Sequence, residues 1–136
     1  MRKTITLKTG RTGGTAADGF QYRDRHDEIS VGDYLAESLV TDTRIYEVVG
    51  VTPKGIRLRT TQDMPEVTPE EDTRVDQVPG LPVLNIAVCP DPNGKVYLLR
   101  VRKDGSVRMG SHAGAHPLRP ARMINGMPVR RIDYRF

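Results

Sequence analysis

The stretch that most constrains the fold is YEVVGVTPKGIRLR, residues 46–59. Two runs rich in β-branched residues flank a Thr-Pro-Lys-Gly segment, in which Pro53 and Gly55 occupy the second and fourth positions of a type I β-turn. In the second run, Ile56 and Leu58 alternate with two arginines, which is the pattern of a strand with one buried face. The stretch therefore predicts an antiparallel β-hairpin.

The rest of the chain also favours strands over helices. Its 13 glycines and 10 prolines are spread over 136 residues, which suits short strands joined by tight turns. Gly50 inside the first run of the hairpin predicts a bulge or a sharp bend, by which a small sheet can curl. Further strands are predicted at TITLKT (4–9), ISVGDYL (29–35), VLNIAVC (83–89), KVYLLRVR (95–102), VRMG (107–110) and RMINGMPVRRIDYRF (122–136), the last as a hairpin about Asn125 and Gly126. The three strands between residues 83 and 110 are expected to form a meander.

Part of the chain, residues 29–61, resembles a known small fold. VGDYL followed by YEVVGVTPKGIRLR resembles the Gly-Asp strand and following hairpin of small SH3-like barrels. The same segment is similar to a VGD…Y-x-V-V-x-V pattern in small proteins of phages and actinobacteria. The resemblance implies an SH3-like β-barrel and a phage-encoded protein, and it implies no active-site residue.

The expected fold class is mainly β: a small SH3-like barrel plus a C-terminal β-meander and hairpin, with one short acidic helix. The predicted segments are an N-terminal strand with a glycine-rich loop or arm (1–28), the barrel core (29–64), an acidic connector (65–82) and a basic meander and hairpin (83–136). One barrel with insertions and two packed lobes both fit these segments. In the connector, Thr68 as N-cap, Pro69 at the first helical position and Glu71 in a capping box predict a helix over residues 69–78. A flexible acidic linker is the alternative.

Charge is distributed unevenly behind a net charge of +4. Residues 61–80 carry six acidic side chains against one arginine, whereas residues 95–136 carry ten basic side chains against two aspartates. Such asymmetry indicates either two faces with different partners or one self-complementary seam.

The basic end supplies the candidate partner-binding residues. Arginine holds carboxylates and phosphates through two parallel donors, so an arginine stripe could bind another macromolecule. Few aromatic residues accompany these arginines, which argues against stacking on single-stranded bases. We therefore expect a non-enzymatic accessory protein that binds a protein, either a host factor or a further copy of itself. A nucleic-acid-binding module is the alternative. The candidate residues are Arg57, Arg59, Arg100, Arg102, Arg108, Arg131 and Arg135.

Catalytic and metal-binding patterns are weak. His112 and His116 have the spacing of two metal ligands on a helix, but Gly114 and Pro117 oppose a helix there. Cys89 precedes a proline at the end of a predicted strand without a recognised nucleophile motif, so we expect a buried structural cysteine. The paired carboxylates of the chain lie in its most polar parts and are expected to be solvated. No metal, cofactor or catalytic residue is therefore expected, and an enzyme using the cysteine or a histidine is the least favoured class.

The sequence also carries indications of location. No apolar run approaches the roughly 18 residues needed to span a membrane. The basic N-terminus is not followed by the apolar region of a secretory signal. A single cysteine cannot form an internal disulfide and is typical of a reducing compartment. A cytoplasmic protein is expected, in the host cytoplasm if the chain is phage-encoded.

Overall fold

The computed structural model describes residues 3–110 and 115–135 of the chain. These residues form eleven β-strands and a single turn of 3-10 helix at Ala16–Asp18. The strands are β1 (Thr4–Gly13), β2 (Tyr22–Ser30), β3 (Tyr34–Ser38), β4 (Thr43–Thr52), β5 (Gly55–Asp63), β6 (Glu70–Glu71), β7 (Val83–Pro90), β8 (Val96–Arg100), β9 (Arg119–Pro120), β10 (Met123–Ile124) and β11 (Met127–Asp133).

The fold is mainly β, as the sequence predicts. Strands β1 and β2 form a separate two-stranded sheet. The other nine strands form one antiparallel sheet, curled into a half-barrel, in the order β10-β11-β7-β5-β4-β3-β9, with β6 beside β7 and β8 beside β5. The strand predicted at residues 4–9 therefore lies in the small sheet, and the one predicted at residues 29–35 is divided between β2 and β3. The central hairpin and the strands of the second half of the chain belong to the same large sheet.

The central hairpin forms as predicted. Strands β4 and β5 pair from Tyr46 and Thr60 to Thr52 and Gly55, so Gly55 closes the turn. The register shifts between Val48 and Gly50, which confirms the predicted bulge. The hairpin, which local sequence signals suffice to predict, thus forms the middle of the sheet.

The C-terminal hairpin also forms as predicted. Strands β10 and β11 pair on either side of Asn125 and Gly126. These two residues have φ angles of 52° and 77°. Positive φ at both central residues is what a tight turn of type I′ needs, and Asn-Gly is the sequence that adopts it most readily.

The predicted meander over residues 83–110 is wrong. Strands β7 and β8 do not pair with each other, because both pair with β5: β8 with Gly55–Arg59 and β7 with Thr61–Asp63. They lie one after the other along the same edge of that long strand. Residues 107–110 are not a strand, and Val107 is instead fully buried in the core.

The predicted acidic helix at residues 69–78 is also wrong. Glu70 and Glu71 form the short strand β6, which pairs with β7. The next residue, Asp72, is fully buried and its N–H donates to the carbonyl oxygen of Val83 at 2.8 Å. Pairing with β7 and burial of this carboxylate outweigh the local capping signals at Thr68.

The glycine-rich N-terminal segment is more regular than its composition predicts. Strand β1 continues through Gly13, which pairs with Tyr22 of β2. A register shift between Lys8 and Gly10 accommodates the irregular stretch. Residues 4–30 therefore form a long hairpin whose far end is largely exposed.

Both faces of the sheet are buried where β3 and β4 pair. Leu35 lies opposite Tyr46, and Ala36 lies opposite Ile45. Because successive side chains of a strand point to opposite faces, the first pair belongs to one core and the second pair to another. The larger core consists of Leu7, Ile29, Leu35, Tyr46, Val48, Ile56, Leu58, Val107 and Leu118. Leu7 and Ile29 show that the N-terminal hairpin covers this core.

A buried aspartate, Asp133, stabilises the end of β11 through hydrogen bonds. Asp133 is 5% exposed, and its carboxylate accepts hydrogen bonds from the backbone N–H and Nε of Arg135, both at 3.0 Å, and from its Nη2 at 2.8 Å. The N–H of Asp133 donates to the carbonyl oxygen of Thr41 at 2.8 Å. These bonds from Arg135 are the main reason that the pKa of Asp133 is lowered from 3.8 to about 2.

Acid should therefore weaken the fold through Asp133. Because its pKa is lower in the folded chain than in the unfolded chain, its stabilising contribution is complete above about pH 4 and is lost as the pH falls towards 2. We expect Asp133→Asn to lower the free energy of unfolding at pH 7 and to flatten its decline between pH 4 and 2, as measured by urea denaturation. Glu66→Gln, at an exposed position, is the control. Parallel pH profiles for Asp133→Asn and the unmodified chain would contradict this assignment.

Candidate partner-binding surface

The seven arginines proposed from the sequence do not form one stripe in the structure. Three of them, Arg108, Arg131 and Arg135, contact aspartates of the same chain. Arg102 donates from Nη2 to the carbonyl oxygen of Gly110. The other three, Arg57, Arg59 and Arg100, lie on β5 and β8.

Arg108 lies outside the strands, and local contacts occupy its side chain. Its Nη2 lies 3.0 Å from Oδ2 of Asp104, and its Nε donates to the hydroxyl of Ser106 at 3.1 Å. Asp104 in turn accepts hydrogen bonds from the hydroxyl and the N–H of Ser106, which lower its pKa to about 2. This arginine therefore stabilises the turn at residues 102–106.

The acidic middle and the basic end of the chain meet within the molecule. Arg130 forms a bidentate pair with Asp63, at 2.7 and 2.8 Å. Asp72 lies 3.4 Å from Nη1 of Arg122 and 3.3 Å from Nε of Arg131. These pairs confirm a self-complementary seam for two of the six acidic residues between positions 61 and 80.

The arginines of the β5–β8 pair face outward without an acidic partner. Arg57 lies opposite Leu98, and Arg59 lies opposite Val96. In the described part of the chain, neither arginine forms an ion pair, and the same holds for Arg100. Their charges are therefore free to attract an anionic group.

Apolar side chains lie among these unpaired charges. Leu98 is 72% exposed and Val96 is 43% exposed. An open groove of about 560 Å³ runs beside Leu98, lined also by Lys54, Arg57 and Arg100 and by neighbouring residues of β4, β5 and β8. We call this region, Lys54, Arg57, Arg59, Val96, Leu98 and Arg100, the β8 surface.

Strand β8 is paired along only one edge. The N–H of Val101 donates to the carbonyl oxygen of Lys54 at 2.8 Å, and the N–H of Thr60 donates to that of Lys95 at 3.0 Å. In an antiparallel pair, residues bonded to the neighbouring strand alternate with residues whose N–H and C=O point away. Leu98 therefore presents its backbone groups to the opposite edge, where the described residues place no strand.

The inner side of β8 is firmly packed. Tyr97 meets Tyr46 edge to face, with ring centroids 6.1 Å apart and planes at 83°, and the ammonium of Lys95 lies 5.0 Å from the centroid of the Tyr97 ring. Tyr46 is 3% exposed and donates its hydroxyl proton to Glu37 at 2.9 Å. Burial is the main cause that raises the pKa of Tyr46. The exposed edge thus belongs to a strand that the core holds in place.

The candidate chemical residues do not assemble a reactive centre in the described part of the chain. Cys89 lies in β7 and is half-buried, where full burial was expected. His116 is exposed, and His112 lies outside the described residues. Residues 3–110 and 115–135 contain no group of three side chains able to hold a metal ion. No helix among them is long and apolar enough to cross a membrane.

Sequence reasoning missed two features of the structure. One is Asp72, which in the sequence is simply one member of an acidic stretch. Its Asp-x-Arg spacing recurs at Asp133, and both aspartates accept bonds from the backbone N–H and side chain of the arginine two residues later. The other is the exposure of Leu98. Side chains alternate between the two faces of the strand KVYLLRV, so Leu98 faces outward because Tyr97 faces the core.

Comparison of the chain with protein families, with curated proteins and with solved structures finds no match. The features of the β8 surface that bear on function are one unpaired strand edge, two exposed apolar side chains and four cations.

The attachment of β8 should depend on Gly55. A Cβ added there would lie 2.3 Å from the carbonyl oxygen of Leu99, so β8 would have to move away from β5. We expect Gly55→Ala to cost about 1–3 kcal/mol of stability and to speed amide hydrogen exchange at Tyr97 and Leu99. Lys54→Ala changes the adjacent exposed turn residue and should leave that exchange unchanged. Equal protection in both variants would show that β8 does not rely on this close approach.

Proposed function

We propose that this protein is a non-enzymatic accessory protein that binds another protein, and that the β8 surface receives an extended segment of that partner. The observation that carries the proposal is the free edge of β8 at Leu98, which is 72% exposed and lies opposite Arg57. An exposed strand edge offers a row of backbone donors and acceptors that a partner strand can complete.

The side chains of the β8 surface indicate what the partner segment contains. An apolar side chain opposite Leu98 would remove both groups from water, which is the main source of binding energy at the centre of a protein interface. Arg57 and Arg100 lie on the same face of the sheet as Leu98, so acidic side chains two positions before or after that apolar residue would meet them. The proposed occupant is therefore an extended segment with an apolar residue and with acidic residues two positions to either side of it.

A second copy of the chain fits this surface less well. If two β8 strands paired antiparallel, with Leu98 of one copy opposite Leu98 of the other, Val96 of each copy would lie opposite Arg100 of the other. The cations of both copies would then lie near one another without an intervening carboxylate, which is unfavourable. Self-association is therefore not the proposed function.

Nucleic acid is the alternative occupant, supported by the four cations of the β8 surface. The two apolar side chains favour protein, because phosphate contacts gain nothing from Leu98 and Val96. The nearest aromatic ring, Tyr97, packs against the core and is not presented for base stacking. We further propose a cytoplasmic location, in the host cytoplasm if the chain is phage-encoded, which is supported by the single cysteine.

Peptide selection can test the β8 surface directly. A library of random linear peptides is selected on the unmodified protein, and the enriched peptides are then measured on the Leu98→Asp variant. We expect enriched peptides with acidic residues two positions from an apolar residue, and at least about tenfold weaker binding to Leu98→Asp. Leu81→Asp is the control, because Leu81 is also exposed, at 45%, but lies outside the β8 surface. This variant should bind the selected peptides as the unmodified protein does. Peptides that bind Leu98→Asp and the unmodified protein equally would refute the proposal.

Salt dependence and lysine variants separate the two classes of partner. If duplex DNA binds through the four cations, log affinity should fall against log salt with a slope of about −4, and replacing Arg57 and Arg100 by Lys should preserve most of the binding. If an acidic peptide binds, we expect a shallower slope and loss of binding in the double Lys variant, because the paired donors of arginine are lost. DNA binding that the Lys variant retains would replace protein by nucleic acid as the assigned partner.

A further inference from the structure

A second cavity, separate from the β8 surface, has walls rich in arginine. It has a volume of about 160 Å³, and it shares no lining residue with the β8 surface. The guanidinium groups come from distant parts of the chain, since β2, β9 and β11 each contribute one and the other two lie beyond β6 and between β9 and β10. The polar lining residues include Arg25, Arg74, Arg119, Arg122, Arg131 and Asn85.

Positive charge exceeds negative charge around this cavity. Asp72 is fully buried, and its carboxylate contacts three guanidinium groups: Arg74 at 2.7 Å, Arg131 at 3.3 Å and Arg122 at 3.4 Å. Arg25 is paired with Asp27 at 3.1 Å. Asp133 also lies 3.9 Å from Arg131, but it is held mainly by its bidentate bonds to Arg135. Five arginines are thus balanced chiefly by two carboxylates.

Arg119 is the arginine of this cavity that lacks a carboxylate partner. It forms no ion pair in the described part of the chain, and its Nη1 donates to the hydroxyl of Ser38. Burial lowers the pKa of Arg119, and the positive charges of Arg25 and Arg74 lower it further. A guanidinium in such surroundings is stabilised by an anion that lies among the arginines.

Two further polar groups on the cavity wall have incomplete hydrogen bonding. Nε of Arg131 is buried and lies near Asp72, but its geometry does not make a hydrogen bond. Asn85 is 4% exposed, and its Oδ1 has no hydrogen-bond partner among the described residues. Buried polar groups are normally paired, so unpaired donors and acceptors around one cavity indicate a ligand that completes them.

We propose that this cavity binds a phosphate group, with Arg119, Arg122 and Arg131 as its donors. Phosphate carries up to two negative charges and several acceptor oxygens, which suit an excess of guanidinium groups, and the P–OH group of its monoprotonated form can donate to Oδ1 of Asn85. The volume is below the roughly 300 Å³ at which pockets for drug-sized ligands begin. A neighbouring cavity of about 330 Å³ also contacts Arg74, Arg119 and Arg131, and it can hold the remainder of a phosphate monoester.

Titration with inorganic phosphate tests the proposal. Calorimetry at constant ionic strength, with chloride as the replaced anion, should show saturable one-to-one binding. We expect Arg119→Ala to weaken it at least about tenfold, because this arginine has no aspartate to neutralise it. Arg119→Lys keeps the charge and should bind with intermediate affinity. Arg130→Ala is the control, since Arg130 pairs with Asp63 outside the cavity. Absence of saturable binding, or equal binding by Arg119→Ala, would overturn the proposal.

Two further measurements exclude a general salt effect and identify the source of the phosphate. Phosphate raises the melting temperature of many proteins because it is excluded from their surfaces. A rise that is the same in the unmodified protein and in Arg119→Ala would be this general effect and would count against the site. Phenyl phosphate is compared with inorganic phosphate in the same titration. Tighter binding of the ester assigns the site to a terminal phosphate of a larger molecule, whereas equal or weaker binding assigns it to the free ion.

Discussion

The sheet depends on the length of strand β5, which is hydrogen-bonded along both edges. Strand β4 pairs with it on one edge, and β8 and then β7 pair with it on the other. Its first half buries Ile56 and Leu58 in the larger core and carries Arg57 outward. Its second half joins the β7–β11 side of the sheet to the central hairpin. The β8 surface and the Asp72 region are therefore positioned by the same strand.

The features predicted correctly from the sequence are those fixed by near neighbours. Alternation places Ile56 and Leu58 inward, Gly50 marks a bulge, and Asn125 with Gly126 closes a hairpin. Each depends on a turn or on a two-residue period. The meander and the acidic helix were predicted wrongly because distant contacts decide those regions. Strand β7 pairs with β5 and β11, and the segment after β6 is positioned by the buried carboxylate of Asp72, two of whose three arginine partners lie 50 and 59 positions further along the chain.

The pairing of the arginines also depends on distant contacts that the sequence alone does not predict. Composition reveals a basic C-terminal part, but it cannot distinguish arginines that neutralise internal aspartates from those that remain available. In the structure, Arg130 and Arg135 belong to the first kind, whereas Arg57 and Arg100 belong to the second. The difference follows from which aspartates the sheet brings within reach, so it requires the strand order. Local Asp-x-Arg spacing is the part of this pattern that the sequence does contain.

The arrangement of β7 and β8 along one edge of β5 has a kinetic consequence. On its own, β8 would have to close a loop of more than thirty residues to reach β5, which carries a substantial entropic cost. Pairing of Thr61 with Pro90 closes most of that distance, and only the short turn at residues 91–95 then separates β8 from its place beside Arg59. The entropic cost of the long loop is therefore met once for both strands, because either strand, once paired with β5, brings the other close to its own place. We expect β7 and β8 to form and to detach together as one cooperative unit.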